Sequence, residues 1–415
     1  MVRTRRFVSA MLILGAYFWQ CAANAETNSD VKTYYEEFHR HPELGKVEFK
    51  TSEYIKTKLK DFGYTNIQSI KAVPTTVIAI LDTAKPGPTI CFRAEMDARK
   101  CQESSGVSYS SEIAGTMHNC GHDAHSAILL DTAHRLMKSK ESLSGKIVFL
   151  FQPAEECPGG ADDIVNDGIL NRLGVQAIFA QHCAPGVAAG AHLLKAGAVM
   201  AGSNTLNINL QGKGGHAAQV HERDDLIGLA SIITLELERL PSRCVDPIQY
   251  PTVCTITKIE GSSEQTNVAA DNVTLTGTIR AFYNIDDKLF RRKSFRELCN
   301  QLVDGFALAY GVEAKTNIKQ GAPVTSNDVK LCKAVESALK NAGIQIEDSD
   351  RSMFSEDFAY YTSSITCAYF GLGIAKESQG IENLHSATFN INEDCLDSGV
   401  VLFETIAKNS TKLGR

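Results

Sequence analysis

Nine consecutive residues, Met117 to His125, place one thiol, three imidazoles and one carboxylate next to each other. Cys120 and His122 stand two apart around a glycine, so both side chains can turn toward one point from a loop at the start of a helix. Thiolate and imidazole are zinc ligands, and they also suit cobalt, nickel or manganese when carboxylates complete the set. The same residues fit a disulfide cysteine beside histidines that cap a helix. The nonapeptide alone leaves both interpretations open.

Two adjacent carboxylates, Glu155 and Glu156, follow an apolar run that is typical of a buried strand. Desolvating a carboxylate costs several kcal/mol unless it meets a cation or accepts hydrogen bonds. Neighbouring side chains diverge, so one of the pair can bind a metal while the other holds a water. This arrangement suits metal-assisted hydrolysis, in which metal ions acidify a water and polarise a carbonyl while a free carboxylate moves the proton.

The elements that must position these groups alternate between strand and helix. Apolar runs that end in polar residues predict buried parallel strands at 89–92, 147–151, 176–180 and 366–371, and helices are predicted between them, for example at 125–138 and 160–173. This pattern predicts an α/β fold with a doubly wound, mostly parallel sheet, whose ligands gather at the carboxyl ends of the strands.

Two more histidines, His182 and His385, follow the last two of these predicted strands. Each could be an ordinary core histidine, just as the glutamate pair could be a solvated helix start. Their joint occurrence at successive strand ends favours a shared metal site.

The pattern changes between residues 198 and 317. Alternating apolar residues predict strands at 206–210, 253–259, 273–282 and 313–318, with helices at 225–240 and 288–310. The order β-α-β-β-α-β predicts an α+β unit inserted into the catalytic domain. The predicted parts are a catalytic domain of residues 26–197 and 318–415 and an inserted lid or dimerisation domain of residues 198–317.

The first 25 residues predict a secretory signal peptide. Arg3, Arg5 and Arg6 precede a 13-residue apolar run, which is shorter than the roughly 20 residues that cross a bilayer. We therefore expect an exported protein, periplasmic or secreted, without a stable membrane anchor after cleavage.

Cleavage changes the net charge from −6 to −6 − 3 = −9 and leaves 11 of the 12 cysteines. The acidic balance argues against a nucleic-acid partner, and the odd cysteine count leaves at least one outside any intramolecular disulfide.

Several motifs, in order along residues 32–405, resemble the metallo-aminoacylase family, which includes hippurate hydrolase, plant auxin-conjugate hydrolases and related carboxypeptidases. They are His39-Arg40-His41-Pro42-Glu43-Leu44-Gly45, Arg93-Ala94-Glu95-Met96-Asp97-Ala98, His118-Asn119-Cys120-Gly121-His122-Asp123-Ala124-His125, Phe151-Gln152-Pro153-Ala154-Glu155-Glu156, Gly214-Gly215-His216-Ala217-Ala218, Asn267-Val268-Ala269-Ala270-Asp271, Gly277-Thr278-Ile279-Arg280, Ser355-Glu356-Asp357-Phe358 and Leu384-His385-Ser386.

The resemblance implies a site with two divalent metal ions, Zn or Mn, with Co or Ni as further options. The implied ligands are Cys120 as the bridge, His122, Glu156, His182 and His385. In the implied catalytic roles, Glu155 is the general base, Asp97 orients a ligand and His216 stabilises the oxyanion. Asn267 and Arg280 match positions that hold the substrate carboxylate. In relatives that dimerise through the inserted domain, the counterpart of His216 reaches the other subunit, which implies a homodimer here.

Three positions depart from the family pattern and affect substrate choice more than hydrolysis. Glu95 stands where Asp is usual, Ala98-Arg99-Lys100 replaces an apolar residue followed by proline, and Cys183 replaces a bulky apolar residue.

The resulting expectation is a metal-dependent amidohydrolase that cleaves the acyl amide bond of N-acyl amino acids with a bound water. An exopeptidase of the same family, acting as a carboxypeptidase or dipeptidase on short peptides, is the main alternative. A thiol amidase with Cys120 as nucleophile and His122 as base would leave Glu156, His182 and His385 idle, and chelator sensitivity would separate it. A non-enzymatic exported metal-binding protein would have no need of Glu155.

Overall fold

The computed structural model describes residues 30–413, so the predicted signal peptide at residues 1–25 lies outside the described residues. The helices are α1 (Val31–Arg40), α2 (Phe49–Asp61), α3 (His122–Lys138), α4 (Ala161–Asp167), α5 (Ile169–Arg172), α6 (Leu226–Cys244), α7 (Phe295–Tyr310), α8 (Val329–Asn341), α9 (Ala359–Thr362), α10 (Asp394–Lys408) and α11 (Ser410–Leu413). The strands are β1 (Ile67–Gln68), β2 (Val77–Asp82), β3 (Thr89–Glu95), β4 (Arg99–Lys100), β5 (Thr116–Met117), β6 (Lys146–Gln152), β7 (Ala177–Ala188), β8 (His192–Leu194), β9 (Gly197–Met200), β10 (Gly202–Gln211), β11 (Gly215–His216), β12 (Thr252–Gly261), β13 (Val268–Ala269), β14 (Asn272–Ala281), β15 (Glu313–Gln320), β16 (Thr325–Asn327), β17 (Ile346–Glu347) and β18 (Thr366–Ala375). None of the helices within residues 30–413 is long and apolar enough to cross a bilayer.

The larger sheet joins strands from both ends of the chain in the order β1-β2-β6-β3-β7-β18-β8-β17. Its centre is parallel, because β6, β3, β7 and β18 pair in parallel with one another. β2 pairs antiparallel with β6, and β8 pairs antiparallel with β18. β3 and β6 are almost wholly buried, as strands covered on both faces must be. The predicted mostly parallel α/β sheet is confirmed.

Helices cover both faces of this sheet. Phe92 and Phe149 pack with α1, α3, α8 and α10 on one face. Their chain neighbours Cys91 and Val148 pack with α4, α5 and α9 on the other, because successive side chains of a strand point to opposite faces. With both faces filled, the carboxyl ends of the parallel strands are left as the place where loops can form a site.

The strands between residues 202 and 320 form a separate antiparallel sheet in the order β12-β14-β10-β15. Alternate residues of β10 and β14 are buried, and they pack with α6 and α7 around a hydrophobic core of their own. We call this sheet with α6 and α7 the inserted unit. Its main elements follow the order β-α-β-β-α-β, with the short β11–β13 pair added. β15 runs past residue 317, and the division of the chain at residues 198 and 317 stays a prediction.

Two helices begin or end elsewhere than the sequence pattern predicts. The stretch 160–173 forms α4 and α5 instead of one helix, because Gly168 between them has a left-handed φ of 75°. The helix predicted from residue 288 begins at Phe295. Ser294 and Glu297 form a reciprocal capping box there, which satisfies the free amide groups of the first turn.

Candidate active site

The thiol and imidazole cluster lies at the start of α3, which begins at His122. Gly121 before it has a left-handed φ of 85°, and a Cβ at this position would lie 2.7 Å from Sγ of Cys183. Glycine is therefore required by both the backbone conformation and the close approach. The resulting turn brings Cys120 and His122 together at the carboxyl end of the larger sheet.

The structure brings the five implied metal ligands together. Sγ of Cys120 lies 3.5 Å from Nε2 of His182, and Nε2 of His385 lies 3.1 Å from Oε1 of Glu156. Donor atoms of Cys120, His122 and His182 lie within 4.8 Å of one another, and so do those of Cys120, Glu156 and His385. Because Cys120 belongs to both groups, its sulfur lies where a ligand shared by two metal ions would have to be.

One of these ligands, His182, reaches the cluster by a route that the sequence pattern did not predict, whereas His385 lies in the predicted loop. β7 does not end at residue 180 but continues to Ala188 while it stays paired with β18, so His182 projects from within a strand. His385 lies in the loop after β18 with a left-handed φ of 69°. Its backbone N–H donates to the Asn119 carbonyl at 2.6 Å, which ties this loop to the one that carries Cys120.

The backbone sets the tautomers of two of the histidines. Nδ1 of His122 lies 2.9 Å from the Asp97 carbonyl oxygen, and Nδ1 of His182 lies 2.9 Å from the Cys183 carbonyl oxygen. A carbonyl only accepts, so each Nδ1 carries the proton and each Nε2 turns its lone pair toward the cluster. Burial and the neighbouring His125 lower the pKa of His182 to about 4, which keeps this ring neutral.

The residues fit divalent metal ions. Nε2 of His122 is buried and has no hydrogen-bond partner among the described residues, although such an atom is costly to leave bare in a protein interior. Burial raises the pKa of the Cys120 thiol, so a thiolate there needs a cation beside it. A set of thiolate, imidazole and carboxylate donors matches zinc and related divalent ions.

Asp97 accepts hydrogen bonds from the turn that carries the glutamate pair. Its Oδ1 accepts from the Glu155 N–H at 3.1 Å, and its Oδ2 accepts from the Glu156 N–H at 2.9 Å. The same carboxylate lies 3.3 Å from Nδ1 of His122, which is hydrogen-bonded to the Asp97 carbonyl oxygen. Asp97 therefore orients His122 mainly through its backbone, and its carboxylate positions both glutamates.

The two glutamates have opposite pKa shifts. Burial, together with the negative charges of Glu356 and Asp357, raises the pKa of Glu155 well above its usual value. Burial acts to raise the pKa of Glu156, but the contact with His385 and the nearby His122 and Arg99 lower it to about 2. The guanidinium of Arg99 contacts Oε2 of Glu156 directly. Glu155 is thus the carboxylate with higher proton affinity, and Glu156 is the one that stays ionised.

A fully buried arginine that we did not assign from the sequence supports the site from behind. Arg93 donates to Gln152 at 2.8 Å, to Glu356 at 2.9 Å and to Asp357 at 2.6 Å, and it also contacts Glu95. It links β3 and β6 to the loop before α9. A charged residue inside an apolar strand was the available sequence signal, since such a group must be paired when it is buried.

Glu95 itself holds a histidine that takes no part in the cluster. Its Oε2 lies 2.8 Å from Nδ1 of His125, whose Nε2 accepts a hydrogen bond from the Cys183 N–H at 2.9 Å. Both ring nitrogens of His125 are therefore occupied. Of the three histidines in the nonapeptide, His122 is the one whose free nitrogen faces the other ligands.

The residues implied in substrate binding lie in different places. Arg280 contacts the hydroxyl of Ser355, directly before the Glu356-Asp357 pair. His216 is exposed on β11, and Asn267 is exposed in the turn directly before β13. Within residues 30–413, no hydrogen bond or ion pair joins His216 to the five implied ligands; its Nδ1 accepts from the Ala218 N–H at 3.2 Å.

Comparisons with known proteins extend over most of the chain. The family model described as peptidase family M20/M25/M40 matches residues 91–409. The chain is 36% identical over 360 residues to N-acetyl-L-cysteine deacetylase of Bacillus subtilis, covering 86% of this chain and 82% of that protein. It is 33% identical to IAA-amino acid hydrolase ILR1-like 2 of Arabidopsis thaliana, covering 89% and 82%. It is 32% identical to thermostable carboxypeptidase 2 of Saccharolobus solfataricus, covering 89% and 92%.

The fold also matches a solved structure. The Bacillus subtilis YXEP protein, described as a dinuclear metal binding peptidase from the M20 family, has a TM-score of 0.80 and 29% sequence identity to this chain. The match covers 92% of this chain and 97% of that one.

Proposed function

The chain belongs to peptidase family M20/M25/M40 and is a hydrolase that acts on amide bonds, and from this premise we propose that it cleaves the acyl amide bond of N-acyl amino acids. The main support is the group of donor atoms around Cys120 and His122, with the carboxylate of Glu155 beside it. Relatives named for N-acetyl-L-cysteine and for IAA-amino acids support an acyl amide as the bond that is cut.

The ligands proposed for the metals are those whose donor atoms face one another. Cys120, His122 and His182 would hold one divalent ion, and Cys120, Glu156 and His385 would hold the other. Zinc and manganese are the first choices, and cobalt and nickel also suit this set. Ions bound here would acidify a water and polarise the acyl carbonyl. The relative described as a dinuclear metal-binding peptidase supports two ions per chain.

Glu155 is the proposed general base. Its Oε2 lies 3.9 Å from Nε2 of His122, so it faces the ligands without a hydrogen bond to them. Its raised pKa suits a group that removes a proton from water while the water oxygen bonds to the acyl carbon. Glu155 then gives this proton to the amide nitrogen as the C–N bond breaks. The products are a carboxylic acid and a free amino acid.

The carboxylate of the amino acid would be held by the inserted unit. A guanidinium offers two parallel donors to a carboxylate, and Arg280 already reaches the loop beside Glu155 through Ser355. Asn267 is the proposed second donor. Neither residue is an implied metal ligand, so we expect their substitution to weaken substrate binding without loss of metal.

A homodimer would place His216 where it can act. We propose that the inserted units of two chains associate and that His216 of one chain donates to the oxyanion in the site of the other. β12 is an edge strand, and exposed apolar side chains lie on it at Val253 and Ile259 and on α6 at Ile227 and Leu235. An unpaired edge beside apolar side chains is a surface that a second copy can cover.

Export of the protein is proposed on the sequence of residues 1–25 alone. A mature chain that begins near residue 26, found outside the cytoplasm by mass spectrometry of cell fractions, would support it. An intact Met1 on cytoplasmic protein would contradict it.

A substrate panel tests the reaction. Zinc- or manganese-loaded protein is assayed with hippurate, acetylated amino acids, indole-acetyl amino acids and dipeptides, and Glu155→Gln prepared in parallel is the control for contaminating activity. We expect kcat/KM for at least one acyl amide to exceed that for every dipeptide by about tenfold or more, which corresponds to about 1.4 kcal/mol of transition-state binding.

An exopeptidase is the second candidate, since two carboxypeptidases are 32% and 31% identical to this chain. Faster cleavage of dipeptides than of every acyl amide in the same panel would select it over the first.

A further inference from the structure

The turn that carries the two glutamates is held by three consecutive backbone amides. The Ala154 N–H donates to Oε1 of Glu48 at 2.8 Å, and the next two amides, of Glu155 and Glu156, donate to the two oxygens of Asp97. Two buried carboxylates from different parts of the chain therefore set the path of the backbone through this turn. Asp97 lies in the recognised motifs, whereas Glu48 has no assigned role.

Ala154 needs such support. It is fully buried and has a φ of 60°, in the left-handed region. A residue with a Cβ stays there only when the surrounding structure holds it. The hydrogen bond from its N–H to Glu48 is a direct contact to this residue, and the two glutamates follow it in the chain.

Glu48 is a buried carboxylate that accepts hydrogen bonds from two other segments. It is the N-cap residue of α2, but its side chain does not cap the helix. It is fully buried, and its second oxygen accepts from the Thr75 hydroxyl at 3.0 Å. Burial raises its pKa to about 7.

The segment before Glu48 packs directly on the turn. A Cβ on Gly45 would lie 2.5 Å from Sγ of Cys157 and 3.2 Å from Cα of Ala154. The Glu43 carbonyl also accepts from the Ala98 N–H at 2.8 Å, just after Asp97. Residues 43–48 thus form a fixed support against which the turn rests.

We propose that Glu48 is a positioning residue of the hydrolytic reaction, which holds Ala154 in its left-handed conformation and so directs Glu155 to the water and Glu156 to the metal. The proposal rests on the functions proposed above for these two glutamates. A shift of about 1 Å in a catalytic group can cost about 10²-fold in rate. Because Arg280 and Asn267 lie in the inserted unit, loss of Glu48 should lower kcat and leave KM almost unchanged.

Two substitutions of similar volume separate positioning from packing. Glu48→Gln keeps an oxygen for the Ala154 N–H and presents an NH₂ group to the Thr75 hydroxyl, so we expect kcat within about threefold of wild type. Glu48→Met fills the same space without an acceptor, and we expect kcat to fall about 10²-fold with KM within about twofold. Thr75→Val removes the hydrogen bond from the Thr75 hydroxyl and leaves the one from the Ala154 N–H, so it should retain wild-type kcat.

A second substitution tests whether the conformation of Ala154 is the reason for the lower kcat. Glycine adopts the left-handed conformation without strain, so Ala154→Gly should restore at least about tenfold of the kcat lost in Glu48→Met. If Glu48→Met alone fails to fold, the double variant Glu48→Met/Ala154→Gly is tested instead. A double variant that folds and binds metal supports the proposal, and one that also fails to fold contradicts it.

Metal titration separates this proposal from the proposed function. If the wild type hydrolyses no substrate in the panel, the proposed function is wrong, but calorimetric titration with zinc still tests Glu48 through the position of Glu156. Weaker zinc binding by Glu48→Met than by Glu48→Gln supports the positioning role. The proposal is overturned if Glu48→Met and Glu48→Gln have equal kcat or, where no substrate is found, equal zinc affinity.

Discussion

Glu155 and Glu156 are neighbours in the chain, but they have opposite surroundings. Burial and the charges of the nearby Glu356 and Asp357 disfavour the ionised form of Glu155. Glu156 contacts His385 and the guanidinium of Arg99, and these contacts favour its ionised form. Two identical side chains can therefore serve as base and as ligand, because environment sets their proton affinities apart.

Exchanging each glutamate for glutamine should separate these functions. Glu155→Gln should keep its metals and lose about 10²–10⁴-fold in kcat, because general base catalysis is typically worth that much. Glu156→Gln should lose metal from the site that it shares with Cys120 and His385. Elemental analysis and steady-state kinetics on both variants check this. Metal loss in Glu155→Gln but not in Glu156→Gln would mean that the two roles are reversed.

The sulfur of Cys120 is the donor atom common to both groups of ligands. If it bridges two ions, Cys120→Ser should weaken binding at both positions, since a hydroxyl is a poorer ligand than a thiolate for zinc. Metal analysis should then fall from about two ions per chain to fewer than one. His182→Ala is the matched control, because it should affect one position more than the other. Full occupancy and activity in Cys120→Ser would exclude the bridge.

At the scale of elements, a buried histidine joins three segments around the metal loop. His39 at the end of α1 lies 2.6 Å from Oδ2 of Asp123 in α3 and 3.1 Å from Oε1 of Glu103 in the loop before β5. Burial lowers the pKa of His39, but these two carboxylates outweigh it and raise the pKa to about 9. The charged imidazolium thus holds α1, α3 and the loop together.

This contact predicts a pH-dependent part of the stability. The folded pKa of His39 lies above its usual value of 6.5, so the contribution is fully present below pH 6.5 and is lost as the pH rises through about 9. The shift corresponds to about 3 kcal/mol. Denaturant unfolding of wild type and His39→Gln from pH 6 to pH 9.5 should show a stability difference that narrows with rising pH. A stability difference between the two proteins that does not change with pH would contradict a charged His39.

At the scale of the whole molecule, the inserted unit contacts the active site of its own chain through Arg280 but not through His216. Arg280 touches the loop beside Glu155 in its own chain, whereas His216 is exposed on the β11–β13 pair. A closing movement within one chain or a second chain could each complete the site. The exposed edge strand β12 favours the second chain.

Mixing two inactive variants decides between them. Glu155→Gln and His216→Ala should each be nearly inactive as homodimers. After they are unfolded together and refolded, half the dimers should be mixed, and one site in each of these has both an intact core and an intact His216. Random pairing then predicts about a quarter of wild-type activity. A monomer by light scattering, or a mixture as inactive as its parents after verified exchange, would show that His216 does not act between chains.

The sequence by itself determined the fold class and the order of elements, because apolar periodicity and strand length are local properties that packing then reinforced. Near-continuous apolar runs became β3, β6 and β18, and alternating runs became the inserted sheet. The nonapeptide around Cys120 and the glutamate pair, taken together with His182 and His385, also predicted a shared metal site at the strand ends.

The tertiary structure alone decided which atoms face the site and what supports them. Glu48 and Ala154 are 106 residues apart, and Arg93 and Glu356 are 263 apart, so no local pattern pairs them. The free Nε2 of His122 depends on a carbonyl in another segment. Hydrogen bonds between distant segments form only once the sheet has brought its loops to one edge, and the proton affinities of the two glutamates follow from that assembly.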